Sequence, residues 1–155
     1  MNTREHLRIV AVIQARMGST RLPGKVLKPI AGQPLLWHIV HRLKASHLIE
    51  DIAVATTTNA RDDAIVEFGQ KHGITVVRGP EGDVLARFAL AAEALDADII
   101  VRVSSDAPFI DASFVDHHLA GPHLKRHLPG ICRCLLRRSS LRRQFPERIL
   151  LEEIP

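Results

Sequence analysis

The chain has 155 residues, 46% of them hydrophobic and 25% charged, with five Phe, one Trp and no Tyr; this length suggests one domain, and so few aromatics count against a nucleic-acid stacking platform. The net charge of +4 is unevenly placed, with 13 Lys+Arg against 14 Asp+Glu in residues 1–119 and eight against three in residues 120–155, so the basicity belongs to the tail and says little about what the folded part binds. No secretory signal or membrane-spanning run is legible, and two cysteines cannot form a disulfide framework, which makes a reducing cytoplasm the expected compartment.

The first element is a strand at about residues 9–14, whose short apolar run over 9–13 reads as fully buried. It leads into Gln14-Ala15-Arg16-Met17-Gly18-Ser19-Thr20-Arg21-Leu22-Pro23-Gly24-Lys25. Three cations, Arg16, Arg21 and Lys25, fall within ten residues, in a loop at the carboxyl end of a first strand, where open α/β sheets bind ligands. Gly18 and Gly24 permit close approach of the backbone, and guanidinium forks, an ammonium and backbone N–H groups suit a polyphosphate. The loop is not a P-loop, because five residues separate Gly18 from Gly24-Lys25 and Val26 stands where Ser or Thr would bind magnesium. As a generic basic loop it would simply be solvated. Pro23 and the clustering after the first strand argue for a binding loop instead.

Gln33 is expected to open a helix with Pro34 at its first position, and Leu35, Leu36, Ile39, Val40 and Leu43 mark its apolar face. A second strand follows at about residues 52–56, then a polar Thr-Thr-Asn stretch and a helix at about 61–72. Asp62 and Asp63 suit the first-turn dipole of that helix, and Gly73 is its stop signal. A third strand is expected at 75–78, a turn at 79–82, and a helix over about 84–95 capped by Asp83, with Val84, Leu85, Phe88, Ala92 and Leu95 turned inward. A fourth strand at 98–103 leads to Ser104-Ser105-Asp106-Ala107-Pro108, and Asp111 caps a short helix to about residue 119. Alternating strands and helices predict a Rossmann-like α/β sandwich, three layers around a mostly parallel sheet, without giving strand order. Asp106, just past a strand end, either holds Mg²⁺ beside phosphates or merely stabilises the turn before Pro108.

The combination of segments resembles the cytidylyltransferases that make CMP-activated acidic sugars, namely spore coat polysaccharide protein F and the acylneuraminate and 3-deoxy-manno-octulosonate cytidylyltransferases. The Gln14–Lys25 loop is similar to that family's CTP loop, with Arg16, Arg21, Lys25 and Ser19 at matching positions beside Ala15 and Gly18. Ser105-Asp106-Ala107-Pro108 resembles its magnesium-binding segment, with Ser105 where glycine is usual. Val54-Ala55-Thr56 resembles the strand end bordering the base pocket, and Arg78-Gly79, Asp83 and Arg87 resemble the segment that contacts the nucleoside. The resemblance implies a sugar-nucleotidyltransferase type of fold, CTP and an acidic sugar as substrates, Mg²⁺ as cofactor, transfer of CMP with release of pyrophosphate, and Arg16, Lys25 and Asp106 as the reacting-phosphate residues. It covers about residues 8–119, taken as the nucleotide-binding domain.

Residues 120–155 read as a basic tail without strand-helix alternation. The acceptor site, a second acidic metal ligand and the dimer contacts that the resemblance implies are not found there, so the chain resembles a truncated member that binds nucleotide but turns over poorly. Two other readings attach to the tail. Its paired arginines could bind nucleic acid, and Cys132-x-Cys134 near His117, His118, His123 and His127 could hold zinc, although the spacing fits no standard finger.

Overall fold

The computed structural model describes residues 6–120 and the backbone of 135–137. A five-stranded sheet is ordered β5-β4-β1-β6-β7. Its strands are β1 (Ile9–Gln14), β4 (Asp51–Thr57), β5 (Thr75–Gly79), β6 (Ile99–Ser104) and β7 (Leu135–Arg137). The first four run parallel, and β7 adds antiparallel to β6, with Ile100 opposite Leu136. The helices are α1 (Leu35–Leu43), α2 (Asp63–His72), α3 (Val84–Ala94) and α4 (Ala112–Ala120).

β1 lies at the centre because every residue from Ile9 to Ile13 is apolar, as a strand covered on both faces requires. Its side chains alternate between faces. Ile9, Ala11 and Ile13 join Leu36, Ile39, Leu43, Ile65 and Leu119 in one core layer. Val10 and Val12 join Phe88, Ala91, Ala92 and Ile100 in the other. The strand order explains why α3 stands apart from α1 and α2. The connections β1–α1–β4 and β4–α2–β5 step in one direction along the sheet, and β5–α3–β6 steps back across β1. Right-handed crossovers in opposite directions place their helices on opposite faces. The result is the expected three-layer Rossmann-like sandwich.

Strand order reverses between β1 and β6, so the chains leaving these neighbouring strands diverge and open a crevice at their carboxyl ends. The two segments, far apart in the chain, thereby become neighbours. In register, Gln14 stands beside Ser104.

Several expected details are corrected. Gln33 and Pro34 do not open α1. They form β3 (Gln33–Pro34), which pairs with β2 (Pro29–Ile30). Ala31 and Gly32 both have positive φ, +48° and +83°, as a two-residue hairpin turn of this type demands, and α1 begins only at Leu35. Val84 is not turned inward but exposed, while Arg87 is buried in its helix. A strand, β7, lies in the region read as lacking one. Cys132, Cys134, His123 and His127, proposed above as a zinc set, lie outside the described residues, as do both arginine pairs in part or whole.

Candidate functional site

The basic loop is held at its base by a buried carboxylate. Asp62, 1% exposed, accepts a hydrogen bond from Met17 N at 2.7 Å through one oxygen, and from Thr57 N at 3.2 Å and the Thr57 hydroxyl through the other. Met17 O in turn accepts from Ser19 N at 2.9 Å and Gly24 N at 3.0 Å, folding the loop back on itself. Gly24 takes φ +67°, where a side chain would be strained. A short 3₁₀ turn, Lys25–Leu27, follows, and its Val26 is fully buried. The residue that disqualifies a P-loop is thus the apolar peg that fixes Lys25.

In the sequence Asp62 reads only as a dipole-compensating helix residue. The Asp62-Asp63 pair after a threonine run was the available signal, but nothing in it tells which carboxylate is buried. Asp62→Ala would leave the Met17 and Thr57 donors without their acceptor. At roughly 1–3 kcal/mol for an unsatisfied buried group, a destabilisation of about 2–4 kcal/mol is expected. Thermal unfolding measures it, and a loss under about 0.5 kcal/mol, the range of ordinary surface substitutions, would show that this carboxylate is not the anchor.

A cavity of about 440 Å³ lies at the crevice, lined by Gln14, Ala15, Arg16, Ser19, Thr20, Arg21, Lys25, Val84, Arg87, Ser104, Ser105 and Asp106. The three cations of the loop and Asp106, 81 residues beyond Lys25 in the chain, therefore share one space. Lys25 Nζ is 3.5 Å from Asp106 Oδ2. The Ser104 hydroxyl donates to Asp106, and this bond, with help from the Lys25 ammonium against a smaller opposing effect of desolvation, holds the carboxyl below its usual range. Asp106 is accordingly an ionised hard-oxygen group at the cavity wall. Ser105, which stands where the resembled family usually has glycine, is buried and lines the cavity.

The segment after β5 acts on the site through the turn that it clamps. Arg87, 4% exposed, donates from Nη1 to Pro80 O at 2.6 Å and Glu81 O at 3.0 Å. Burial, and then the nearby Arg16 charge, lower the pKa of its guanidinium. A Cβ on Gly79 would stand 2.9 Å from Arg87 Cγ and 3.0 Å from Leu90 Cδ1, so glycine is what lets the strand end meet α3. Asp83 caps that helix by accepting from Ala86 N at 2.9 Å. The clamped turn carries Glu81, whose Oε1 lies 3.8 Å from Arg16 Nη1. Of the expected site residues, Ala15, Arg16, Ser19, Arg21, Lys25, Arg87 and Asp106 line the cavity. Gly18, Thr56, Gly79 and Asp83 do not. Thr56 is fully buried at the end of β4, its hydroxyl oxygen without a partner among the described residues.

The sequence profile described as cytidylyltransferase matches residues 10–121, spanning the loop, the crevice and α4. The chain belongs to the cytidylyltransferase family. It is 42% identical over 110 residues to an uncharacterised protein of Methanocaldococcus jannaschii, a match covering 71% of this chain and 45% of that protein. It is 41% identical over 112 residues to the spore coat polysaccharide biosynthesis protein SpsF of Bacillus subtilis, covering 70% and 47%. Thus the chain spans about half the length of the curated relatives it matches. A cytidylyltransferase from Leptospira borgpetersenii has a similar structure, with TM-score 0.76 and 30% identity over 96% of this chain and 66% of that one. CMP:2-keto-3-deoxy-manno-octonic acid synthetase, solved in complex with CTP, has TM-score 0.66 and 29% identity over 79% of this chain and 50% of its own. Among the described residues no helix is long and apolar enough to cross a membrane.

Proposed function

We propose that the crevice binds CTP with Mg²⁺ and serves transfer of CMP to the hydroxyl of an acidic sugar, with release of pyrophosphate, in the making of polysaccharide precursors. The observation that carries this reading is the convergence of Arg16, Arg21 and Lys25 with Asp106 on one cavity, in a family whose solved members include a synthetase bound to CTP. The acidic sugar comes from the relatives, one of which is the 3-deoxy-manno-octulosonate cytidylyltransferase of Geobacter metallireducens, 36% identical over 114 residues.

The donor set fits a magnesium ion. Asp106 offers one ionised carboxylate, 61% exposed, and one or two carboxylates completed by phosphate oxygens and water is the usual arrangement for Mg²⁺. Among the described residues no cluster of three or more acidic, His or Cys side chains makes a self-sufficient metal cage, so the phosphates would complete the coordination. The ion, when bound, would supply charge neutralisation to the phosphate oxygens. Lys25 and Arg16 would bind the same oxygens after leaving Asp106 and Glu81, and Arg21 would add a third positive charge at the departing pyrophosphate. The buried Val26 and the Asp62 anchor hold these groups in place before ligand arrives, and such positioned charge is where phosphoryl and nucleotidyl transfer gain most.

Calorimetric titration with CTP, UTP, ATP and GTP in Mg²⁺, paired with pyrophosphate release in the presence of a panel of acidic sugars, tests the reading. Selective CTP binding is the expected result, with any pyrophosphate release confined to samples that contain an acidic sugar. No binding of any nucleoside triphosphate would overturn it, and better binding of UTP would move the chain to another nucleotidyltransferase specificity.

A further inference from the structure

Two residues that line the cavity, Gln14 and Arg87, each carry a buried polar atom left without a hydrogen-bond partner among the described residues. These atoms are Gln14 Oε1, an acceptor, and Arg87 Nε, a donor. Buried polar groups are nearly always paired, so each orphan calls for an explanation. Both side chains line the cavity, and Arg87 is itself 4% exposed. A ligand presenting one donor and one acceptor to this wall would satisfy both.

The two lie on the same side of the sheet. Val10 and Val12 turn toward α3, and strand alternation turns Gln14 the same way. The first turns of α3 supply Val84 and Arg87 to the cavity. This wall is therefore a carboxamide, a guanidinium and the exposed isopropyl group of Val84, 38% accessible. The other residues of the cavity include the three loop cations and Asp106. An apolar contact beside directional polar groups suits the face and edge of a heterocycle, whereas clustered charge suits phosphates.

We propose that Gln14 is the residue that selects the base, its Oε1 accepting from the exocyclic 4-amino group of cytosine, with Arg87 Nε donating to an acceptor on the same ring. The inference rests on the reading of the cavity as the CTP site. Cytosine carries an amino donor at position 4 where uracil carries a carbonyl acceptor. Uracil would set oxygen against oxygen at Gln14, or require the carboxamide to reverse. Ser104, the cross-strand neighbour of Gln14, has a much shorter side chain, and its hydroxyl is turned to the Asp106 carboxylate.

The test compares the wild type with Gln14→Met, which keeps the length and removes the acceptor, Gln14→Ala, and Gln14→Glu, which keeps an acceptor. Each is titrated in Mg²⁺ with CTP, UTP and the triphosphate of pyrimidin-2-one riboside, which lacks any group at position 4. The wild type is expected to prefer CTP over the unsubstituted analogue by roughly tenfold to a hundredfold, the usual cost of leaving a buried acceptor unpaired. Gln14→Met and Gln14→Ala should bring the two ligands to near equality, chiefly by weakening CTP, and Gln14→Glu should keep the preference for the amino-bearing base. A truncated variant that retains the wild-type ratio overturns the proposal. So does a wild-type ratio near one, which needs no variant and leaves the CTP-site reading standing. Failure of the wild type to bind any of the three overturns that reading and this inference with it.

Discussion

Asp106→Asn should remove most of the gain in CTP affinity that Mg²⁺ confers, a loss of roughly 10–100-fold or more. Even groups that only support a metal ligand cost that much when removed, and Asp106 is the one carboxylate among the residues lining the cavity. The same substitution should have the opposite sign without metal. Lys25 lies 3.5 Å from Asp106, so removing the carboxylate's charge frees the ammonium for a phosphate oxygen. At 61% exposure of the Asp106 side chain, that pair contributes at most about 1 kcal/mol, so metal-free CTP should bind equally well or a few-fold tighter. Titration with and without Mg²⁺ separates this pattern from general damage to the site, which would weaken both. Equal loss in both conditions would refute the metal role. The acid side follows from the Ser104 hydrogen bond. The carboxylate is the metal-binding form, and the bond favours it, so metal-dependent binding persists to lower pH in the wild type than in Ser104→Ala. A lower acid limb in Ser104→Ala would be the wrong sign.

How much of this was legible in the sequence depends on the range of the information involved. The core of β1, the apolar face of α1 and the Asp83 cap are local patterns, and they stand in the structure as read. The hairpin around Ala31-Gly32 was missed because two-residue strands carry no period and Ala-Gly is a weak turn signal. Likewise β7, three residues long, has no pattern of its own and exists through pairing with β6. From the sequence Val84 reads as inward, because an apolar residue in the first turn of a helix fits the core stripe. Its position at the crevice is set by where α3 crosses the sheet, a consequence of strand order that periodicity cannot supply. Arg87 shows the converse, a charged residue buried because Pro80 and Glu81 offer carbonyls to its guanidinium. The site itself was legible as separate segments. That the loop after β1 and the turn after β6 face one cavity required the reversal of strand order between them.

Lys25→Ala and Arg16→Ala should each weaken CTP binding about tenfold or more, with Lys25 the larger. A charge-assisted hydrogen bond contributes roughly 1.5–3 kcal/mol, and tenfold corresponds to about 1.4 kcal/mol. The ranking comes from burial. The Lys25 side chain is 29% exposed and the Arg16 side chain 51%, so less solvent screens the Lys25 charge. Both cations begin with a carboxylate partner, Asp106 for Lys25 and Glu81 for Arg16. Triphosphate binding exchanges one anion for another, and the measured loss reports the difference between them. Glu81→Gln should therefore tighten CTP binding slightly in the wild-type background and have little effect in Arg16→Ala, because its partner is then already gone. Lys28, exposed and outside the cavity, is the control, and Lys28→Ala should change affinity far less at physiological salt, where an exposed charge making no direct contact is weakened by solvent and counterions. Calorimetric titration with CTP across the set, with thermal unfolding to verify the fold, decides the matter. If Lys28→Ala weakens binding as much as Lys25→Ala, the loop attracts triphosphate by overall charge, and the cavity is not the site.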